Sequence, residues 1–292
     1  MTVHYDTNAS FDVDITDVEY LRHGDEPLLA RIYQPKGAGP FPALLEVHGG
    51  AWSDQDRTRS EHSVLALARS GIVVASIDFR LAPAHPYPAQ LQDINYGVRW
   101  LKAHAADFNA DPSTVGGYGS SSGGHTIVLA GMRAAFPWYN AIPLADAREV
   151  DASLAYVIAQ SGIVDPYARY QYAVATSPGS ANSQRLARNT LGFFLTEDGM
   201  REGNPQLILE RGEPAELPPL LLVQSDQDAN IPWQIVEKFG ESYRKAGGVV
   251  EWRLYRGQPH VFANSPGAES DAAVAAMKAF IARHVNAPAV VR

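Results

Sequence analysis

Thr114-Val115-Gly116-Gly117-Tyr118-Gly119-Ser120-Ser121-Ser122-Gly123-Gly124-His125 is the stretch that decides the fold. Residues 114–118 form a short candidate strand, Gly119–Gly123 match G-x-S-x-G, and residues 125–132 open a helix-like run. This order has a physical reason. A sharp strand–turn–helix bend lifts one serine hydroxyl above the sheet edge, and flanking glycines let the backbone come close. The five-residue motif is weak alone, and the strand before it and the helix after it give it weight. Three serines compete for the role. Spacing from both glycines selects Ser121, whereas Ser120 and Ser122 are one residue off and point away from the bend.

Outward from the elbow, short apolar runs alternate with segments of helical period, as in a mostly parallel sheet covered by helices. Eight strands are expected, at residues 13–20, 28–34, 43–47, 73–78, 114–118, 154–160, 220–224 and 250–255. Several are almost wholly apolar, as strands buried on both faces are. Residues 88–106, 232–246 and 268–285 each place apolar side chains at three- and four-residue steps, giving helices with one buried stripe. These signs describe an α/β fold in a single domain, residues 1–292. Residues 162–218 contain no clear strand but carry Tyr167, Tyr170, Tyr172, Phe193 and Phe194, and this aromatic content marks a packed lid inserted between strands 6 and 7.

Composition narrows the function. The 292 residues are 46% hydrophobic and 19% charged, which suits a folded globular chain. Lys and Arg total 24 against 32 Asp and Glu, a net charge of −8, so a nucleic-acid partner is not expected. No apolar run approaches the ~18 residues of a membrane helix. There is no cysteine, which excludes disulfides, zinc–thiolate sites and a cysteine nucleophile. The first residues lack a basic start and an apolar core, so the expected location is cytoplasmic. Edge strands and the last helix would supply the contacts of a homodimer.

His48-Gly49-Gly50-Ala51-Trp52 follows the third strand. Glycines at a strand end leave backbone N–H groups free to face a developing oxyanion. Gly50 and Ala51 are the main donors expected, with the N–H of Ser122 completing the hole and Gly49 a further option. A serine nucleophile needs a base, and the base needs an orienting carboxylate. Of nine histidines, His260 lies in a loop just after the last strand, at the sheet edge where the elbow sits. His48 and His125 are expected to bond locally within their loops. Asp226 and Asp228 both follow the seventh strand. Asp228 is preferred as the acid, with Asp226 bracing the loop. The order Ser121, Asp228, His260 is that of an α/β-hydrolase.

The chain resembles the α/β-hydrolase esterases, between the hormone-sensitive-lipase-like and the BD-FAE-type carboxylesterases. Residues 79–88 (Phe-Arg-Leu-Ala-Pro-Ala-His-Pro-Tyr-Pro) and Gly119–His125 carry the likeness to the first group, and His48–Trp52 that to the second. Asp228-Ala229-Asn230-Ile231-Pro232 falls on the family's D-x-x-V-P, and His260-Val261-Phe262 on its late H-x-F. Gln224-Ser225 stands where the family has His-Gly, and Ser122 where it has Ala. Only 47 residues precede His48, so no long N-terminal cap is expected. The resemblance implies hydrolysis of small-molecule carboxylic esters through an acyl-enzyme, with no metal or organic cofactor. Short and medium acyl chains are the expected substrates. The same triad also serves amidases, aryl-formamidases and peptidases, and a non-catalytic binding protein on this fold is a further alternative. Trp52, Phe193, Phe194 and Phe262 are expected to shape an apolar substrate pocket, the alternative being that these large aromatics complete the core.

Overall fold

The computed structural model describes residues 3–176 and 178–286. Its strands are β1 (Val13–His23), β2 (Glu26–Pro35), β3 (Ala43–Val47), β4 (Val73–Ile77), β5 (Gly116–Ser120), β6 (Val157–Gln160), β7 (Leu220–Ser225) and β8 (Val250–Tyr255). They form one eight-stranded sheet in the order β1-β2-β4-β3-β5-β6-β7-β8. β2 runs antiparallel to both β1 and β4, and every other pairing is parallel. β5 starts two residues later than its sequence pattern suggests, because Asp111 caps a tight turn over Pro112–Thr114 and its side chain accepts from the Ser113 N–H.

The helices are α1 (Glu61–Ala68), α2 (Ala89–Ala103), α3 (Ser122–Met132), α4 (Pro166–Thr176), α5 (Ala181–Phe194), α6 (Glu197–Glu202), α7 (Pro205–Glu210), α8 (Trp233–Lys245) and α9 (Ala268–Val285). Successive strand residues point to opposite faces, so each central strand feeds two cores. Leu45, Ala75 and Leu222 pack with Leu91, Ile94 and Val98 of α2, Ile127 of α3 and Phe239 of α8. Leu44, Val74, Leu221 and Val223 pack on the other side with Val64 and Leu67 of α1 and Met277, Phe280 and Ile281 of α9. Burying each such side chain is worth roughly 1.5–3 kcal/mol. Both faces are covered, which is why these strands read as unbroken apolar runs.

The parallel strands all end at one sheet edge. The loops after β3, β5, β6, β7 and β8 therefore converge there, as ligand-binding loops do in open α/β sheets. The strandless segment between β6 and β7 is helical, comprising α4 to α7.

Candidate active site

The bend after β5 is built by exclusion. Ser121 has φ 54° and ψ −117°, a conformation costly for a residue with a side chain. A Cβ on Gly123 would sit 2.0 Å from the Val47 carbonyl oxygen, and one on Gly119 2.3 Å from that of Gly123. Only glycine lets α3 start this close to β3 and β5. The Ser121 N–H donates to Gln160 O on β6 (2.9 Å), which fixes the elbow to the sheet.

Ser121 Oγ lies 2.9 Å from His260 Nε2, and His260 Nδ1 lies 2.8 Å from Asp228 Oδ2. The carboxylate holds the proton on Nδ1, so Nε2 accepts from the serine hydroxyl. Asp228 is itself held, with Oδ1 accepting from the N–H groups of Asn230 and Ile231, each at 2.9 Å. Asp226 points elsewhere. Its Oδ1 accepts from Gly257 N–H at 2.6 Å, and it faces Arg256. Two of the three positions where the chain departs from the family pattern, Gln224 and Ser225, touch this assembly. Gln224 Nε2 donates to Asp228 Oδ2 (3.1 Å), and Ser225 Oγ donates to Pro259 O (3.0 Å), tying the acid loop to the histidine loop.

The loop after β3 passes through left-handed backbone at three successive residues, Gly50 (φ 111°), Ala51 (φ 51°) and Trp52 (φ 62°). Gly50 is obligatory, since a Cβ there would meet Asp54 O at 2.0 Å. Among the described residues no carbonyl or side chain takes up the N–H of Gly50, Ala51 or Ser122. The Trp52 N–H is spent on Ser122 Oγ at 3.1 Å. That contact gives Ser122 its use, as a tether between the elbow and this loop.

His125 departs from expectation. It sits inside α3 and bonds at long range, accepting from Trp52 Nε1 (3.2 Å) and donating Nε2–H to Gly203 O (2.8 Å). Burial pushes its pKa down to about 4, so it stays neutral. His48 bonds Gly49 O at 2.7 Å, as expected, and stacks on Phe79 at 4.2 Å.

The expected apolar pocket is corrected. The cavity against Ser121 and His260 measures about 400 Å³ and is also lined by Gly49, Gly50, Ala51, Arg59, Arg169, Arg185, Arg188, Asn189 and Asn230. Trp52, Phe193, Phe194 and Phe262 lie outside that lining and are buried. Trp52 stacks on Phe193 at 5.0 Å with the rings 1° from parallel, and Phe194 packs edge-on against both. Phe262 packs on Tyr255 at 4.9 Å in the α1/α9 core. Large aromatic side chains gain most by complete burial, and these four complete the core behind the cavity. Arg169, Arg185 and Arg188 are not marked as site residues by the sequence, because residues 162–218 hold no strand or motif to place them. The available signal was Arg185-x-x-Arg188, whose spacing places both on one face of a helix. A larger hollow, about 680 Å³, lies between Leu209–Leu217 and the end of α8, away from any paired nucleophile and base. No group of three or more metal-ligating side chains occurs among the described residues, and no helix there is long and apolar enough to cross a membrane.

This sheet order, with a serine elbow after β5 and acid and histidine loops after β7 and β8, is that of the α/β-hydrolase fold. Residues 31–242 match the BD-FAE family, and the chain belongs to it. Among solved structures it is similar to EstE1, a thermostable carboxylesterase from a metagenomic library, with a TM-score of 0.76 and 20% identity over 96% of this chain and 92% of that one. It is also similar to esterase 2 of Thermogutta terrifontis, with a TM-score of 0.72 and 18% identity over 92% and 94%. In sequence it is 29% identical to the Mycobacterium tuberculosis esterase LipC over 230 residues, which are 76% of this chain and 54% of LipC. It is 40% identical to the carboxylic ester hydrolase LipN of the same organism over 115 residues, 39% of this chain and 30% of LipN. The chain thus spans about half the length of LipC or less of these curated relatives.

Proposed function

We propose that the protein is a carboxylic ester hydrolase acting on short to medium acyl esters through Ser121, His260 and Asp228. The observation that carries this is the unbroken line from Ser121 Oγ through His260 to Asp228, at 2.9 and 2.8 Å. His260 Nε2 takes the proton as Ser121 Oγ bonds to the carbonyl carbon. The carbonyl oxygen becomes an oxyanion facing the N–H groups of Gly50, Ala51 and Ser122, where loss of one donor typically costs ~10²–10³ in rate. His260 then gives its proton to the departing alcohol as the C–O bond breaks, leaving an acyl-enzyme. Water, deprotonated by His260, attacks that carbonyl, and Ser121 leaves with the proton. Asp228 keeps the imidazole oriented and stabilises its charged form.

Names and structures of relatives support the reading. LipC and LipN are called esterase and carboxylic ester hydrolase. The Thermogutta esterase has been solved with butyrate and with propionate bound, and phosphorylated by paraoxon. A 400 Å³ cavity suits acids of that size better than long lipid chains. In this reading the segment 162–218 is the lid, because α4 and α5 supply Arg169, Arg185, Leu186, Arg188 and Asn189 to the cavity.

The test is hydrolysis of p-nitrophenyl acetate, butyrate and octanoate, with matched anilides, by wild type and Ser121→Ala. The expected result is ester cleavage peaking below about ten carbons and falling ~10⁴-fold or more in the variant. Equal activity in both proteins would remove Ser121 from the role, and cleavage of the anilides alone would make this an amidase.

A further inference from the structure

The catalytic cavity carries a charge opposite to that of the chain. The whole protein is net −8, yet four arginines, Arg59, Arg169, Arg185 and Arg188, line the space beside Ser121 and His260. They come from separate places: the loop after β3, α4 and α5. One carboxylate outside the triad, Asp54, joins them in the lining, and it is already engaged by the Gln55 N–H (2.8 Å) and Nε2 (3.2 Å). Among the described residues none of the four arginines forms a salt bridge.

Arg169 is the telling member. It is 1% exposed and forms no salt bridge, the one carboxylate that acts on its charge being Asp228 of the triad, and a buried guanidinium without a bonded acid partner is expensive. Its Nη1 donates to Leu186 O and Thr190 Oγ1, its guanidinium lies 5.8 Å from the Trp52 ring centre, and its Nε–H has no partner. Burial pushes its pKa down to about 9, which leaves it cationic at neutral pH. Arg185 and Arg188 stand at the exposed end of the same cavity, and Arg185 donates to the neutral Asn182 Oδ1 at 2.9 Å. A planar fork of N–H donors fits a carboxylate or phosphate in two-point fashion. Uncompensated positive charge at a cleft mouth also raises the local concentration of anions.

We infer that this cavity takes esters bearing an oxyanion group, a carboxylate or a phosphate, remote from the bond that is cleaved. The inference rests on the ester-hydrolase reading of the same cavity and adds the charge of the substrate to it.

The test compares three esters of similar size: p-nitrophenyl butyrate (neutral), the p-nitrophenyl monoester of glutaric acid (anionic) and butyrylthiocholine (cationic). Wild type should prefer the glutarate monoester over the neutral ester by at least about tenfold in kcat/KM at low salt, with the preference shrinking at high salt. The choline ester should be poorest. The anionic-to-neutral ratio should fall toward one in Arg185→Ala/Arg188→Ala and invert in Arg185→Glu/Arg188→Glu. Because the readout is a ratio within each protein, general loss of catalytic power cancels. A wild-type ratio near one, with Ser121-dependent cleavage of the neutral ester, would overturn the inference and leave the esterase reading intact. If the folded protein cleaves no ester, that reading falls. Calorimetry on Ser121→Ala then decides the inference, since no binding of either glutarate or inorganic phosphate overturns it. Binding of one and not the other identifies which oxyanion the arginines hold.

Discussion

Two regions meet at the cavity and are held in place by different means. The loops after β3, β5 and β8 owe their shape largely to their own backbone, while the loop after β7 is pinned by the Asp228 carboxylate accepting from the N–H groups of Asn230 and Ile231. Left-handed residues recur in the first three, at Gly50, Ala51, Trp52, Ser121 and Val261, and glycines allow contacts that a Cβ would block. The helical segment from α4 to α7 is held by side chains. Phe193, Phe194, Met200 and Ile208 join the main core, and the His125 ring reaches Gly203 O, with one main-chain bond, Tyr87 N–H to Phe193 O (2.8 Å), added to them. Backbone-built geometry demands particular residue types at particular positions. Side-chain packing accepts many combinations of similar volume. The first region can thus keep one chemistry while the second changes what reaches it.

Trp52 is where the two regions join, and its removal is the largest way to break this contrast. Its backbone belongs to the loop after β3, while its ring stacks on Phe193 of α5 and its Nε1–H bonds His125 of α3. Trp52→Ala should cost about 3–5 kcal/mol in denaturant unfolding, the usual range for a fully buried large aromatic. Limited proteolysis should then cut first within residues 166–210, because that segment loses its main anchor. Unchanged stability, or first cleavage elsewhere, would mean that the helical segment has another support.

The same contrast explains what was legible beforehand. All eight strands and the helices α2, α8 and α9 show in the periodicity, because the central strands are buried on both faces and each of these helices has one buried stripe. The lines from Ser121 to His260 and Asp228 show in motifs, because a bent backbone leaves few residues to choose from. α1 and α4 to α7 did not show. α1 is short and mostly apolar, so its eight residues carry little period, and α6 and α7 have six residues each. The role of the aromatics was misjudged for a related reason. A large ring near such a loop looks alike in sequence whether it faces a ligand or the core, and only its packing in three dimensions, Trp52 on Phe193 and Phe262 on Tyr255, decides it. Gln224, Ser225 and Ser122 stood out as departures from a pattern, yet their contacts required coordinates.

Beneath the loops, Glu46 offers a second and somewhat smaller test. It sits on β3, the strand that leads into the Gly50–Trp52 loop, fully buried near Ser60 and Ser76, and neither carboxylate oxygen has a hydrogen bond of good geometry. Burial pushes its pKa up to about 7. The native state therefore keeps the proton up to about pH 7, while the unfolded chain releases it near 4.5. Stability from this site is intact below pH 4.5 and falls as pH rises toward 7, by up to about 3 kcal/mol. Glu46→Gln removes the titration. Unfolding at pH 8 should show a gain of up to about 3 kcal/mol, with little change at pH 4. An equal effect at both pH values would show that size or hydrogen bonding, not ionisation, governs the position.

The smallest effect is the sharpest test of whether the backbone-built loops need side-chain ties at all. Ser225 Oγ donates to Pro259 O across the gap between the acid loop and the histidine loop, one residue before His260. Ser225→Ala deletes a single atom from a fully buried site and disturbs little else. A hydrogen bond of this kind is worth about 1 kcal/mol, equivalent to roughly fivefold in rate if all of it serves to position His260. The expected outcome is a three- to fivefold fall in kcat on a neutral ester with KM unchanged, since the bond holds the residue before His260 and neither Ser225 nor Pro259 lines the cavity. If kcat is unchanged while stability drops by about 1 kcal/mol, the tie serves folding alone. The histidine loop would then be placed by the left-handed Val261 and by the bond that its N–H donates to Ser161 Oγ at 3.2 Å.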